Sequence, residues 1–207
     1  DLVLALRKNM SQFFAEGVDA AKKDYCSIAN EHHFNRLKCS LADALSDGAE
    51  LACGGEISKE GLRFTPAVLT GVNYDNSIMK EEIFGPILPI IKVQSLDESI
   101  NYVNENEKPL ALYLFSNKPA VHNKVLKGTS SGGMVINDCV LHHMNPNLPF
   151  GGINNSGVGS YHGKFGFDAF SHHKAVLKSS SISPFKVMLP PYTKTKEALA
   201  NLIKKYF

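Results

Sequence analysis

The stretch "LALYLFSNKPAVHNKVLKGTSSGGMVIN", residues 110–137, decides the fold class. It opens with a nearly continuous apolar run at 110–115 and closes with a second apolar run at 133–137. Unbroken apolar runs of this length are typical of strands that are covered on both faces of a sheet. Between the two runs, Pro119 stands where a helix would start. Strand, helix and strand in this order predict a crossover between two parallel strands.

The same alternation extends upstream. Residues 64–70 and 87–93 are β-rich, and Ser95 and Glu98 have the spacing of a capping box that opens a helix. The sequence therefore predicts an α/β fold, a mainly parallel sheet with βαβ crossovers. Other predicted elements are a helix over 1–14, a helix capped by Asn30 with its stripe at His33, Phe34, Leu37, Leu41 and Leu45, a short strand at 175–177, and a terminal helix with Leu199, Leu202, Ile203 and Tyr206 on one side.

Composition excludes several classes of function. The 207 residues are 43% hydrophobic and 20% charged, which is ordinary for a globular protein with a core. The formal net charge of +2 comes without a basic run, so we expect no nucleic-acid partner. Four cysteines without CxxC spacing fit reduced thiols in the cytoplasm. No apolar run reaches membrane-spanning length, so the chain has no predicted transmembrane anchor, and the basic terminal helix could at most rest on a membrane surface.

The stretch "KEEIFGP", residues 80–86, places two carboxylates beside an aromatic ring and a Gly-Pro turn. One interpretation is a ligand site at a strand edge, with a carboxylate for hydroxyl groups and a ring for stacking. The other is a pair of solvated acids ahead of a Phe that enters the core. The residues alone leave both open.

A long loop that is rich in Gly and aromatic residues follows the strand that ends at Asn137. Ligands gather beyond the carboxyl ends of parallel strands, so this loop is a second candidate site. Its glycines do not form a phosphate loop, because they fall one residue out of step with GxGxxG. The histidine pairs at 32–33 and 172–173 have no ligand partner at suitable spacing, so we expect no metal site.

Several motifs together resemble the aldehyde dehydrogenase superfamily. They are "EEIFGP" at 81–86, "PFGG" at 149–152 and "NSG" at 155–157. The finer resemblance is to the class 3 branch, which acts on fatty and aromatic aldehydes. It is carried by "NEHHFNRL", "EKPLALYLFS", "TSSGGMVIND", "SYHGKFGFDAFSH" and "LPPYT", which run in order along essentially the whole chain.

The resemblance implies a role for five residues. Glu82 would bind the nicotinamide-ribose hydroxyls of NAD or NADP, and Phe84 would lie against the nicotinamide ring. Asn137 would support the geometry of the active site, while Phe150 and His142 would line the aldehyde pocket. The alternatives are a surface carboxylate, an Asn that closes a turn, a core aromatic ring and a solvated loop histidine.

The resemblance also shows what this stretch does not supply. Members of the family use a Cys nucleophile in a Gly-Gln-x-Cys context to oxidise aldehydes to acids through a thiohemiacetal and a thioester. None of the four cysteines has that context; they are Cys26, Cys39, Cys53 and Cys139. The nucleophile, the Glu base and the dinucleotide-binding domain are therefore expected upstream of Asp1, where the chain starts inside a predicted helix. Alone, the chain is expected to be inactive.

Two functions of different class follow from the resemblance. In the first, residues 1–170 are part of the catalytic domain of an aldehyde dehydrogenase, and residues 171–207 form an oligomerisation strand and tail. That strand is expected to pair with a second subunit and form a homodimer. In the second, the chain is a non-catalytic interaction or dimerisation module derived from the family.

Overall fold

A computed structural model describes residues 1–14, 25–179 and 189–205. The chain divides into two compact units, Asp1–Glu105 and Asn106–Phe207. The functional division predicted after residue 170 remains a prediction. The α/β class is confirmed, since both units combine helices with short strands, and each unit contains a parallel strand pair.

The first unit is built from three helices, five strands and one 3-10 turn within the described residues. The helices are α1 (Leu2–Phe14), α2 (Glu31–Ser46) and α3 (Leu96–Glu105), and the 3-10 turn is Ser77–Met79. The strands are β1 (Glu50–Gly54), β2 (Ile57–Ser58), β3 (Arg63–Phe64), β4 (Ala67–Thr70) and β5 (Ile87–Pro89).

Helix α2 provides one wall of the core of this unit. Its predicted cap is confirmed, because the Asn30 side chain accepts a hydrogen bond from the His33 N–H at 2.9 Å. The predicted stripe is correct at its centre and wrong at two positions: His33 is exposed, and Ala44 is buried where Leu45 was expected. The buried side chains of α2 are three or four positions apart in the sequence. Ala44 lies three positions after Leu41 and so continues the buried face of the helix.

Strand β4 lies at the centre of the sheet β1-β4-β5. It pairs antiparallel with β1 and parallel with β5, and its residues Ala67, Val68 and Leu69 are buried. The single strand predicted over 64–70 divides at Pro66, which has no N–H to donate to a ladder. Residues before it form β3 and pair with β2. The β1–β4 and β2–β3 pairings were not predicted.

The edge strand β1 is covered by the first helix. A guanidinium nitrogen of Arg7 donates to the Ala52 carbonyl at 2.6 Å. The register of β1 on β4 also shifts between Leu51 and Cys53, which is the pattern of a β-bulge. One backbone carbonyl of this edge strand, that of Ala52, therefore already has a hydrogen-bond donor within the unit.

Asn76 joins the C-terminal end of α2 to the 3-10 turn that precedes the "EEIFGP" motif. It is 2% exposed. Its side-chain nitrogen donates to the Ala44 carbonyl at 3.1 Å, and its oxygen accepts from the Ile78 N–H at 3.1 Å. A buried amide that satisfies two backbone groups fixes the position of this turn relative to α2.

Asn76→Ala is expected to lower the free energy of unfolding by about 2 kcal/mol, because it leaves the buried Ile78 N–H unpaired and removes one of the two hydrogen bonds that the Ala44 carbonyl accepts. Chemical denaturation of the protein that contains this chain, followed with Asn35→Ala as the control, measures the effect. Asn35 is an exposed Asn of α2, where Ala is a better helix former. Equal denaturation midpoints for the two variants would contradict the role of Asn76.

The second unit contains the βαβ crossover predicted from residues 110–137. Strands β6 (Ala111–Leu114) and β7 (Gly133–Ile136) pair in parallel, and α4 (Pro119–Gly128) connects them with Pro119 at its first position. This prediction is confirmed. Further elements of the unit are the short helices α5 (Leu141–Met144) and α6 (Gly163–Ala169), the 3-10 turn Asn154–Ser156 and the terminal helix α7 (Lys194–Lys204).

The short strand predicted at residues 175–177 is not formed in the single chain. Residues 172–179 belong to no helix or strand, and Val176 and Leu177 are 78% and 95% exposed. The physical reason is that a strand needs a hydrogen-bonding partner, and the described residues provide none here. The segment follows α6. Within that helix, a hydrogen bond from the Lys164 ammonium group lowers the pKa of the Asp168 carboxyl group.

Helix α7 is confirmed, with Leu199, Leu202 and Ile203 each about half exposed on it. Tyr206, predicted on the same side, lies outside the described residues. In the part of the chain that the structure describes, no helix is both long enough and apolar enough to cross a membrane.

Candidate functional site

The Glu82 loop, residues 80–86, lies in the first unit between the 3-10 turn and β5. Arg36 of α2 anchors it, because a guanidinium nitrogen donates to the Ile83 carbonyl at 2.6 Å. At the end of the loop, the Ala67 N–H donates to the Pro86 carbonyl at 2.8 Å. The loop is thus fixed to the rest of the unit at its middle and at its last residue.

Phe84 is presented outward by this loop. Its φ is 44°, in the left-handed region that non-Gly residues rarely adopt, and its side chain is 81% exposed. The next residue must be Gly85, because a Cβ there would overlap the side chain of Leu37. The interpretation in which the Phe enters the core is therefore wrong. A backbone held in an uncommon conformation to expose a ring is typical of ligand sites.

Both carboxylates of the loop are exposed, Glu81 as expected and Glu82 with it. They border a cleft of about 290 Å³. Its polar lining includes Arg36, Ser40, Asp43, Lys80, Glu81 and Glu82. The exposed acceptor oxygens of Glu82 and the ring of Phe84, two residues apart, give this edge of the unit the composition expected for binding a hydroxylated, flat ligand.

Asn137, in the second unit, uses its side chain to extend the β6–β7 pairing. Its side-chain oxygen accepts from the Ser116 N–H at 2.8 Å, and its side-chain nitrogen donates to the Ser116 carbonyl at 3.0 Å. The residue has a φ of 62°, so the chain turns sharply here. Both polar atoms of the amide are engaged with backbone, which fits a supporting role and also an Asn that closes a turn.

Phe150 is the centre of a group of aromatic rings in the second unit, which we call the ring cluster. His143 contacts the Phe150 ring at a centroid distance of 4.6 Å, and His142 contacts it at 5.4 Å. The cluster consists of Tyr113, His142, His143, Phe150, Tyr161 and His162. The structure therefore brings together the two residues predicted for an aldehyde pocket.

His142 is buried, with 9% of its surface exposed. The interpretation of a solvated loop histidine is wrong for this residue. Its ring lies over Gly133 of β7, where a Cβ would come within 2.6 Å of the imidazole Cδ2. The absence of a side chain on Gly133 makes room for the imidazole, so strand and cluster are matched in shape.

The loop that carries Phe150 packs backbone against backbone on the start of β7. A Cβ on Gly132 would overlap the Gly151 carbonyl oxygen and come within 2.6 Å of the Leu110 carbonyl oxygen. A Cβ on Gly152 would overlap the carbonyl group of Ser156. Close approach, rather than phosphate binding, is therefore the role of these glycines.

Some residues of the two sites were missed by sequence reasoning. Arg36 anchors the Glu82 loop from 47 positions away in the chain, and no local pattern signals such a contact. His143 and His162 belong to the ring cluster. The histidines and aromatic residues that surround "PFGG" were a compositional signal that could have identified them.

The four cysteines are free thiols in the structure. Cys26, Cys39 and Cys139 are exposed, and Cys53 lies 3.7 Å from the sulfur of Met10. The expectation that none of them is the nucleophile remains a prediction. In the described part of the chain, no group of three or more His, Cys, Asp or Glu side chains is arranged to hold a metal ion.

Comparison with known proteins identifies the family. The sequence model described as "Aldehyde dehydrogenase family" matches residues 1–176. The chain is 40% identical to aldehyde dehydrogenase family 3 member A2 of Mus musculus, and the match covers 99% of this chain and 42% of the relative. It is 41% identical to the "dimeric NADP-preferring" aldehyde dehydrogenase of Rattus norvegicus, over 92% of this chain and 41% of the relative.

Comparison with solved structures leads to the same family as the sequence comparison. The substrate-bound state of Staphylococcus aureus AldH superposes with a TM-score of 0.87 at 40% identity, covering 98% of this chain and 43% of that chain. The chain belongs to the aldehyde dehydrogenase family. It spans a little over two fifths of the length of the relatives that it matches and carries the resemblance to class 3 along its length.

Proposed function

We propose that this chain is a segment of an NAD(P)-dependent aldehyde dehydrogenase that oxidises aldehydes to carboxylic acids. The observation that carries the proposal is the Glu82 loop. It holds Phe84 at a φ of 44° with 81% of the side chain exposed, two residues from an exposed carboxylate. An uncommon backbone conformation that keeps an aromatic ring out of the core is a feature that is concentrated at binding sites.

Glu82 and Phe84 fit the nicotinamide half of NAD or NADP. A carboxylate only accepts hydrogen bonds, and the ribose offers two hydroxyl donors. The Phe84 ring gives the flat nicotinamide a surface to lie against. The chemistry that such a cofactor would supply when bound is hydride acceptance. The contribution of this chain is to hold and orient the ring and ribose.

On the aldehyde side, Phe150 and His142 line the pocket and Asn137 supports its geometry. The ring cluster around Phe150 and the two hydrogen bonds between the Asn137 side chain and the Ser116 backbone support this assignment. The reaction requires a Cys thiolate to attack the carbonyl and a carboxylate base to activate water. In this proposal the rest of the enzyme supplies both, and this chain supplies binding and orientation.

The proposed assembly is a homodimer, and the proposed location is the cytoplasm. A relative of 41% identity is named as dimeric. The exposed apolar side chains at 176 and 177 support pairing of this segment with a second subunit. Four free thiols fit a reducing compartment.

Glu82→Gln in the full-length enzyme is expected to raise the KM for NAD(P) about tenfold, because an amide is a weaker acceptor than a carboxylate and adds an N–H where a second acceptor is needed. Steady-state kinetics at saturating aldehyde measure the effect. Glu81→Gln is the matched control: its side chain is also exposed, and it is one residue further from Phe84. The same KM in both variants and the unsubstituted enzyme would reject the assignment of Glu82.

A further inference from the structure

Helix α2 holds the Glu82 loop on both sides of Phe84. Before Phe84, a guanidinium nitrogen of Arg36 donates to the Ile83 carbonyl at 2.6 Å. After it, Gly85 lies so close to Leu37 that a Cβ on Gly85 would overlap the Leu37 side chain. Arg36 and Leu37 are consecutive residues of α2. One turn of this helix therefore contacts the residues that immediately precede and follow the exposed ring.

The hydrogen bond from Arg36 acts on the peptide group that joins Ile83 to Phe84. The Ile83 carbonyl and the Phe84 N–H belong to one planar group, so a donor that holds the carbonyl also holds the plane from which the Phe84 backbone turns. Phe84 turns from it with a φ of 44°. This region is unfavourable for a residue with a Cβ and persists where the surroundings hold it. Arg36 is suited to hold it, because it is half-buried and its donor is charged.

The other anchors of the loop act outside residues 82–84. The Ala67 N–H binds the Pro86 carbonyl at the last residue of the loop, and Asn76 fixes the 3-10 turn ahead of the loop. Among the described residues, the hydrogen bond from Arg36 is the one that reaches residues 82–84. Loss of this bond would therefore release the part of the loop that carries Glu82 and Phe84 and leave its ends in place.

We propose that Arg36 is a positioning residue for the cofactor: its bond to the Ile83 carbonyl keeps the loop in the conformation that presents Glu82 and Phe84 to the nicotinamide ribose and ring. The inference rests on the proposed function, in which these two residues bind NAD or NADP. Arg36 acts through the loop and not by contact with the cofactor. The apparent affinity of a ligand falls with the fraction of protein that is in the competent conformation. The bond therefore sets the affinity for the cofactor, while saturating cofactor selects the competent loop and restores turnover.

The test measures the binding of NADH and NADPH to the full-length enzyme by fluorescence titration, together with steady-state kinetics. Arg36→Met keeps an unbranched side chain on α2 and removes the donor. It is expected to raise the Kd for the reduced cofactor and the KM for NAD(P) about tenfold, which corresponds to a loop that is competent about a tenth of the time. The kcat at saturating cofactor and the KM for the aldehyde should change much less. Arg36→Lys keeps a charged donor and should recover part of the affinity.

Arg63→Met is the matched control. Arg63 is also half-buried in the first unit, and its guanidinium donates to a distant backbone carbonyl outside the Glu82 loop, that of Tyr25. Its replacement should lower the thermal midpoint to a similar extent and leave the Kd for the reduced cofactor unchanged. A rise of the same size in both Met variants would show a general loss of structure and overturn the inference.

An unchanged Kd in Arg36→Met would also overturn the inference and leave the proposed function intact. An unsubstituted enzyme that binds neither NADH nor NADPH would overturn the proposed function itself. Arg36→Gln removes the charge and shortens the side chain while it remains a good helix former, and the same rise in Kd is expected. This variant decides the inference if Arg36→Met does not fold.

Discussion

Gly132→Ala is expected to destabilise the second unit by about 3 kcal/mol or more, since the added methyl group has no space and its neighbours are backbone atoms that cannot rotate away. A Cβ there would overlap the Gly151 carbonyl oxygen and lie 2.9 Å from the Gly152 Cα. The loop would have to move away from β7, and Phe150 moves with it. Thermal or chemical denaturation of the full-length enzyme measures the loss, and kcat/KM should fall in parallel.

Gly166→Ala is the matched control for this experiment. It is the same change in the same unit, but the nearest atom to the new methyl group is 3.7 Å away, at ordinary contact distance. Gly166 lies inside helix α6, where Ala is favoured over Gly by about 0.5–1 kcal/mol. The two variants should therefore shift stability in opposite directions. Similar stabilities would show that the loop and β7 are not in close contact.

Val176→Pro is expected to convert the proposed dimer of the full-length enzyme largely to monomer. Residues 172–179 form no strand in the single chain, and Val176 is 78% exposed. If this segment joins the sheet of a second subunit, its N–H groups form the ladder, and Pro both removes one donor and clashes with the neighbouring strand. Size-exclusion chromatography with light scattering, across a range of concentrations, reports the mass.

Val176→Thr controls for the loss of the side chain, because Thr is β-branched and keeps the backbone N–H. It should remain dimeric at concentrations where the Pro variant dissociates. A Pro variant with the mass of the unsubstituted dimer would show that the subunits join elsewhere.

Elements with a strong local signal were predicted well from the sequence. The Asn30 cap, the Ser95–Glu98 pair and Pro119 each act through groups within four residues, and each is found at the start of its helix. The β6–α4–β7 crossover follows from such local signals and from the apolar runs that flank them. A local sequence signal is sufficient to predict an element when the groups that form its hydrogen bonds are close together in the chain.

The failures involve partners that are distant in the chain or that the described residues do not contain. Strand β1 carries no clear alternation, and its pairing with β4 depends on residues 13 to 20 positions away. The break at Pro66 was visible in the sequence, but the pairing of β3 with β2 was not. The segment at 175–177 has the composition of a strand, but it forms no strand pairing with the residues that the structure describes.

The sequence identified which residues belong to the candidate site, but it did not show which of their side chains are buried. Motif resemblance located Glu82, Phe84, Asn137, His142 and Phe150. Burial was not predictable: His142 lies over Gly133, and only the fold shows that a glycine there leaves room for the ring.

The contact between Arg7 and β1 has a consequence for how copies of the molecule can meet. An uncovered sheet edge invites a strand from any other chain, which leads to disordered fibres as readily as to a defined pair. At β1, one outward carbonyl, that of Ala52, is already bound by Arg7, and the bulge next to it interrupts the regular spacing that an incoming strand would need. Association by strand addition is thereby discouraged on this side of the first unit, which favours a finite assembly over an open-ended one.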